Sequence, residues 1–153
     1  MKDTQDSETL NDKIKHVLTE ARMVLPGAQA LLGFQFVTMV LDDFDRLPES
    51  SKQVHLISLL ATALSTVLLM APAAYHRIVE QGANTEVFHR LASRYIVWSM
   101  VPLALGITGD FYVVMRKVTG SVALAATSAA VLLSISYGLW FGYTLHLRSS
   151  RNK

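Results

Sequence analysis

The sequence predicts an all-α integral membrane protein, a four-helix transmembrane bundle with an N-terminal amphipathic helix. Within 153 residues, four stretches that are almost free of charge alternate with short charged segments. Hydrophobic residues make up 51% of the chain and charged residues only 17%, and nearly all of the charge lies outside the four stretches. This segregation is expected when lipid is the solvent. The predicted spans cover about residues 23–41, 54–75, 95–115 and 118–147.

Each predicted span is long enough to cross a hydrocarbon core of about 30 Å, because an α-helix rises about 1.5 Å per residue. The spans form one predicted membrane domain over residues 9–147. A disordered N-terminal tail is predicted over residues 1–8, and a basic C-terminal tail over residues 148–153.

An amphipathic helix is predicted before the first span, because apolar residues recur there at helical spacing. Pro26 and Gly27 mark the expected bend between this helix and the span. Three placements are open: the helix lies along the cytoplasmic interface, packs on the cytoplasmic ends of spans 2 and 3, or projects into the cytoplasm. The recurring apolar residues are Leu10, Ile14, Val17, Leu18, Ala21 and Leu25.

Basic residues are distributed unevenly between the two sides of the membrane. Ten lie on the side that holds both termini, and four lie on the opposite side. The positive-inside rule therefore predicts that both termini are cytoplasmic. The ten are Lys2, Lys13, Lys15, Arg22, Arg77, Arg90, Arg94, Arg148, Arg151 and Lys153; the four are Arg46, Lys52, Arg116 and Lys117.

The composition argues against several classes of function. The chain has no cysteine, which removes disulfides, thiolate chemistry and cysteine-ligated metals. HExxH, GxSxG, P-loop and EF-hand patterns are missing, so no enzyme activity is predicted. Basic residues are not interleaved with exposed aromatics, so nucleic acid is not an expected partner. A b-type haem needs facing histidines, but no histidine occupies the middle of a span, so neither a cofactor nor a metal is predicted.

Polar side chains inside the spans are costly, and they form two stripes. Asp110 is the only formally charged residue inside span 3. If a polar face of span 1 meets one of span 2 opposite Asp110, the three enclose a vestibule open to the outside. Each stripe recurs at intervals of three, four and three residues and so shares one helix face. The stripes are Gln35, Thr38, Asp42 and Asp45 on span 1, and His55, Ser58, Thr62 and Ser65 on span 2.

This arrangement predicts a candidate proton or cation site at Asp110, Asp42, His55 and Gln35. Carboxylate and hydroxyl oxygens suit a small monovalent cation, and a relay through the two carboxylates and the histidine suits protons. The structural alternative is that the hydroxyl groups bond carbonyls of their own helix and that Asp110 reaches water near the outer surface. The residues do not decide between these interpretations.

A second candidate site lies at the cytoplasmic end of span 2, where Tyr75, His76 and Arg77 follow Pro72. A histidine between an aromatic residue and an arginine suits pH sensing or an anionic lipid headgroup, and it equally suits a helix anchor.

Two short motifs carry a family resemblance. LPGAQ over residues 25–29 opens span 1, and APAAYHR over residues 71–77 closes span 2. At these residues the chain resembles a family of small four-span bacterial membrane proteins known only as a domain of unknown function, some of whose members carry a sodium:proton antiporter label. If the motifs carry function, the resemblance implies Gln29, His76 and Arg77 as the residues concerned.

Two functions of different class stay open. The first is a small cation- or proton-linked transport protein. The second is a non-transporting scaffold or accessory subunit that binds a partner or lipid at its cytoplasmic face. A chain of 153 residues is small for an alternating-access carrier, so transport implies a homo-oligomer. The spacing of Gly138 and Gly142 supports close helix contacts, either inside the bundle or between copies.

Overall fold

A computed structural model describes residues 2–81 and 83–151, with side chains over residues 9–81 and 83–150, and within these ranges the chain is all-α. A π-helical segment joins α5 to α6. In chain order the helices are α1 (Lys2–Met39), α2 (Asp42–Asp45), α3 (Glu49–Ile78), α4 (Glu86–Thr119), α5 (Val122–Tyr137), the π-helical segment (Gly138–Tyr143) and α6 (Thr144–Arg151).

Within the described residues, three helices are long and apolar enough to cross a membrane: Glu49–Ile78, Glu86–Thr119 and Val122–Ser150. The uncharged part of α1 begins at Met23 and ends with the helix at Met39, and α1 is not among these three. The sequence therefore predicts one more membrane-crossing helix than length and hydropathy identify in the structure.

Helices α3 and α4 form the most extensive helix pair, α1 packs on both of them, and α5 packs on α4. The short connection between α3 and α4 makes them antiparallel neighbours. The apolar core lies between α1, α3 and α4 near the end of the bundle where α3 ends. Its buried members are Ile14, Val17, Ala28, Leu69, Phe88, Ala92, Ile96 and Leu103.

Small residues hold α3 and α4 together along a seam, which we call the small-residue seam (Ser58, Thr62 and Ser65 of α3; Ser99, Gly106 and Gly109 of α4). A methyl group on Gly106 would overlap Oγ1 of Thr62 and lie 3.1 Å from the main-chain oxygen of Ser58. Ser65 donates from Oγ to the main-chain oxygen of Ser99 at 2.8 Å. Apolar surface does not drive association in lipid, so this close backbone approach is a main source of helix pairing.

Helix α1 is continuous through Pro26, so the predicted separate amphipathic helix is not formed. Proline removes one helical hydrogen bond, but the surrounding contacts keep the helix intact. Ile14 and Val17 are only 2% and 7% exposed, and they share the core with Phe88 and Ala92. Of the three placements left open by the sequence, the structure shows this segment packed against the other helices rather than along the interface.

The helix ends are set by local caps. The sequence predicts a helix start at Thr85 followed by Glu86, and this start is confirmed, because Oγ1 of Thr85 accepts from the amide of Phe88 at 3.1 Å. At the other end of α4, Gly120 has φ = 68°, a left-handed conformation that glycine adopts without strain. Residues 118–119, which the sequence places in the predicted fourth span, belong to α4 in the structure.

The backbone of residues 2–8 belongs to α1, where the sequence predicts a disordered tail. This segment contains neither glycine nor proline to interrupt the helix. At the other end, residues 148–151 of the predicted basic tail continue α6, and residues 152–153 lie outside the described residues.

An ion pair ties the turn after α1 to the end of α4. Nζ of Lys117 lies 2.6 Å from Oδ2 of Asp43, and both side chains are exposed. The hydrogen bond and then the positive charge of Lys117 lower the pKa of Asp43 below its usual range, and the charge of Arg46 adds a smaller effect.

The substitution Gly106→Ala should destabilise the protein by about 1–3 kcal/mol. The added methyl group would overlap Oγ1 of Thr62 and crowd the main chain of α3, so α3 and α4 would have to move apart. Unfolding in detergent, followed by circular dichroism, measures this loss. Gly33→Ala is the matched control, because a methyl group there meets nothing within 4 Å. Equal stability of the two variants would contradict the role of the seam.

The Asp43–Lys117 pair should make stability depend on acid pH. Since the folded-state pKa of Asp43 is lowered, the pair stabilises the fold above the usual aspartate pKa, and this contribution is lost as the pH falls through the lowered value. A carboxyl carbon NMR titration in detergent should place the Asp43 midpoint below that of a free aspartate. Lys117→Gln should return the midpoint to the usual range, and Arg46→Gln should move it less. Identical midpoints in all three proteins would refute the pairing.

Candidate functional site

Three polar side chains from three helices meet near the end of the bundle where α3 begins, and we call them the polar cluster (Gln35, His55 and Asp110). Nε2 of Gln35 donates to Oδ2 of Asp110 at 2.6 Å. Nδ1 of His55 lies 3.2 Å from Oδ1 of the same carboxyl group. Nε2 of His55 lies 3.1 Å from the main-chain oxygen of Gln35. Asp110 is thus contacted from α1 and from α3 at once.

The small-residue seam sets this geometry. A methyl group on Gly109 would overlap Oγ of Ser58 and lie 3.6 Å from Cγ1 of Val54. Gly109, the residue before Asp110, therefore lies beside Val54, the residue before His55. This contact places the carboxyl group of α4 beside the imidazole of α3, and α1 then covers the pair with Gln35.

The partners of His55 determine where its protons lie. The main-chain oxygen of Gln35 can only accept, so Nε2 of His55 must carry a proton. Nδ1 then faces Oδ1 of Asp110, and two lone pairs at that distance would repel each other. Either the histidine is doubly protonated beside a carboxylate, or the histidine is neutral and Asp110 carries the proton. In both forms the His55–Asp110 pair holds one exchangeable proton, on either Nδ1 or the carboxyl group.

The polar cluster is largely removed from solvent. The side chain of His55 is 3% exposed and that of Asp110 is 19% exposed. The ring of Phe44 packs edge-on against the imidazole at a centroid distance of 5.4 Å. A titratable pair held this deeply between membrane helices is expensive, which makes it a functional candidate by default.

Two oxygens of the polar cluster retain bonding capacity. Among the described side chains, Oε1 of Gln35 and Oδ1 of Asp110 are buried and have no hydrogen-bond donor. Oδ1 is close to Nδ1 of His55, but the pair is at ion-pair distance without the alignment of a hydrogen bond. Buried polar atoms are normally satisfied, so such atoms call for a further donor, water or ion.

A cavity of about 200 Å³ adjoins these oxygens, which is room for water molecules or a small hydrated cation. Phe34 and Val114 at its edge are exposed, so the cavity is reached between α1 and α4. The lining residues are Phe34, Gln35, Thr38, His55, Asp110, Val113 and Val114. The apolar members were missed by sequence reasoning, because nothing polar distinguishes them from other lipid-span residues.

The hydroxyl stripe of α3 has a structural use. Ser58 donates to the main-chain oxygen of Val54 at 2.8 Å, and Thr62 donates to that of Ser58 at 3.0 Å. Neither lines the cavity beside Asp110. The vestibule expected from the sequence is therefore reduced to a small cavity, and the remaining hydroxyl groups serve helix packing.

Asp42 and Asp45 do not join the polar cluster. Helix α1 ends at Met39, and both carboxyl groups lie in the short helix α2, where they are exposed. The predicted stripe assumed that the helix of Gln35 continued to Asp45. Because the chain turns before Asp42, the helical spacing that joined these residues no longer applies.

The second candidate site is only partly assembled. Tyr75 stacks on Phe88 at a centroid distance of 6.3 Å, and His76 tilts against the same ring at 4.7 Å. Arg77 is exposed at the end of α3. Gln29 is exposed on α1 and has no hydrogen bond among the described residues, so it is not drawn into a shared site with His76. Both rings pack on Phe88, and no sequence pattern predicted that Phe88 would contact them.

Within residues 9–81 and 83–150, no group of three or more histidine, aspartate or glutamate side chains is placed to hold a metal ion. The polar cluster itself combines a titratable pair with neighbouring oxygen acceptors.

An all-helical fold with three helices of membrane-spanning length, and a polar cluster between helices, defines this chain as a helical membrane protein. The chain belongs to a family of unknown function, DUF6328, whose family model matches residues 3–144. No curated protein and no solved structure matches it. The resemblance to an uncharacterised family is thus confirmed, and it assigns no activity.

A double-mutant cycle should show that Gln35 and Asp110 are coupled. Gln35→Leu leaves the carboxyl group without its amide donor and should cost about 1–3 kcal/mol of unfolding free energy. When Gln35→Leu is combined with Asp110→Leu, the loss of unfolding free energy in the double variant should differ from the sum of the two single losses by about 0.5–3 kcal/mol.

Thr38→Val with Asp110→Leu is the control cycle. Thr38 lines the same cavity but donates to the main-chain oxygen of Phe34, so its effect should be additive. Additive losses in both cycles would show that the amide contributes nothing to Asp110.

Proposed function

We propose that the chain crosses a bacterial inner membrane four times, with α1 as the first span and both termini in the cytoplasm. The uncharged part of α1, from Met23 to Met39, rises about 25 Å, which is close to the thickness of the hydrocarbon core. Gln35, in the last turns of α1, is buried and donates to Asp110. The excess of basic residues on the side of the termini supports the orientation.

The proposed function is proton-linked transport of a small cation through the polar cluster. The observation that carries this proposal is the buried His55–Asp110 pair, in which Nδ1 lies 3.2 Å from Oδ1 while Nε2 faces the main-chain oxygen of Gln35. We assign one exchangeable proton to this pair. With that proton the pair is neutral, and without it the pair carries one negative charge. A proton and a monovalent cation would therefore compete for the same site.

The unsatisfied oxygens fit the deprotonated form. Oδ1 of Asp110 and Oε1 of Gln35 are hard acceptors of the kind that alkali cations prefer. A cation in the adjoining cavity would replace the lost positive charge, and the returning proton would release it. Exchange of one proton for one monovalent cation would leave the net charge of the site unchanged.

The proposal includes a homo-oligomer. Only Ala125 and Ala129 of α5 are buried, and most of that helix faces away from the rest of the chain. The small surface at Gly138 and Gly142 meets no neighbouring helix within the described chain. A second copy on this side would supply the additional helices that a carrier of this size needs.

A non-transporting scaffold is the second candidate, and one observation favours it. The bonds of the polar cluster also tie α1 to α3 and α4, and the hydroxyl groups of Ser58 and Thr62 are satisfied within α3. In that case the polar cluster would hold the helices in register without exchanging protons or ions.

Proton flux into sealed proteoliposomes under imposed sodium or potassium gradients tests the proposal. The wild-type protein should show cation-dependent flux. Asp110→Asn should reduce it to the rate of empty vesicles, because the amide can neither release a proton nor attract a cation. Asp42→Asn is the matched control, since it removes the same charge outside the polar cluster and should retain the flux.

Equal incorporation and equal melting temperatures of the proteins are required for the comparison. Wild-type vesicles with no flux above empty vesicles would refute transport and favour the scaffold. A flux that persists in Asp110→Asn would show that transport uses a different path through the protein.

A further inference from the structure

A large pocket lies between α1 and α3 at the opposite end from the polar cluster, and we call it the α1–α3 pocket. Its volume of about 870 Å³ is in the range of sites that bind small organic molecules. Alanines and Pro72 on α3 leave this space, because short side chains cannot reach across to α1. The lining residues are Leu18, Ala21, Arg22, Leu25, Val67, Leu69, Met70, Ala71, Pro72, Ala73, Ala74, His76 and Arg77.

The pocket has a basic end and an apolar end. On α3 its lining runs from Arg77 to Val67, a distance of about 15 Å along the helix axis. Arg77 and His76 mark the basic end on α3, Arg22 lines the pocket from α1, and Leu25 and Met70 line the apolar part. Val67 and Met70 are also exposed on the outer surface of a helix of membrane-spanning length, so the apolar part is open to surrounding lipid.

The two arginines have no counter-charge within the described chain. Neither Arg22 nor Arg77 takes part in an ion pair or a side-chain hydrogen bond among residues 9–81 and 83–150. The side chain of His76, beside them, turns toward Asn84 and packs on Phe88. Two guanidinium groups without ion-pair partners in the lining of an apolar pocket are complementary to an anion that carries a hydrocarbon chain.

We propose that the α1–α3 pocket binds an anionic phospholipid. Its phosphate group would be held by Arg22 and Arg77, and an acyl chain would lie along Leu25, Met70 and Val67. Guanidinium groups bind phosphate through paired N–H donors, and basic pockets between membrane helices on the cytoplasmic side suit anionic headgroups. A free phosphate ion would use the arginines but leave the apolar part empty. This binding is independent of the transport proposed above.

Melting of the full-length protein in a mild, uncharged detergent tests the proposal, with native mass spectrometry as a direct count of bound lipid. Phosphatidylglycerol should raise the melting temperature by several degrees, because a ligand that binds only the folded state stabilises it. Phosphatidylcholine and inorganic phosphate, added at the same concentration, should not. The double variant Arg22→Gln/Arg77→Gln should lose the shift and the bound lipid.

Two further variants separate the pocket from general surface charge. Arg90→Gln/Arg94→Gln removes the same charge from exposed positions of α4 that do not line the pocket, and it should keep the shift. Ala74→Phe fills the apolar part with both arginines in place, and it should reduce the shift. If the double pocket variant does not fold, Arg77→Gln at the exposed end of α3 replaces it.

Three outcomes would overturn the proposal. Equal loss in the Arg90/Arg94 control would show attraction to surface charge alone. An equal shift with inorganic phosphate would show an anion site without an acyl chain. An unchanged shift in Ala74→Phe would place the lipid outside the pocket.

Discussion

The close approach of α3 and α4 along the small-residue seam is the constraint on which the other features depend. Lipid tails are as apolar as leucine, so two such helices associate only where their backbones can come near each other. Gly106 and Gly109 permit that approach, and Thr62 and Ser58 occupy the space that a side chain on α4 would take. The seam also fixes the register of the two helices.

That register brings an acid and a base together inside the bundle. Gly109 packs against the turn of α3 that holds Val54 and Ser58, and this places Asp110 beside His55. Helix α1 then covers the pair with Gln35. The opposite end of the molecule has the reverse chemistry, with unpaired arginines beside an apolar pocket. The protein therefore places a titratable anion near one end of its helices and cationic groups near the other. The first suits exchange of protons and cations, and the second suits an anionic lipid.

Sequence reasoning predicted local features well and long-range continuity poorly. Long uncharged stretches predicted α3, α4 and α5, and the pattern of Thr85 predicted the start of α4, because hydropathy and capping are properties of neighbouring residues. The same reasoning placed Asp42 with Gln35 by assuming an unbroken helix, and it divided α1 at Pro26. Both failures have one cause: whether a helix continues depends on what packs against it. The segment with Ile14 and Val17 is buried in the core and α1 continues through Pro26, whereas the helix ends at Met39 and the chain turns before Asp42.

By itself the sequence determined that the chain is helical, that most of its helices are suited to lipid, and that Asp110 and His55 are polar residues in costly positions. The tertiary structure decided which of the polar residues meet, how closely Nδ1 of His55 approaches Oδ1 of Asp110, and that an apolar pocket opens beside Arg22 and Arg77. The reason is physical. Burial in lipid depends on composition along the chain, but a protonation pattern or a pocket depends on distances between helices that are far apart in sequence.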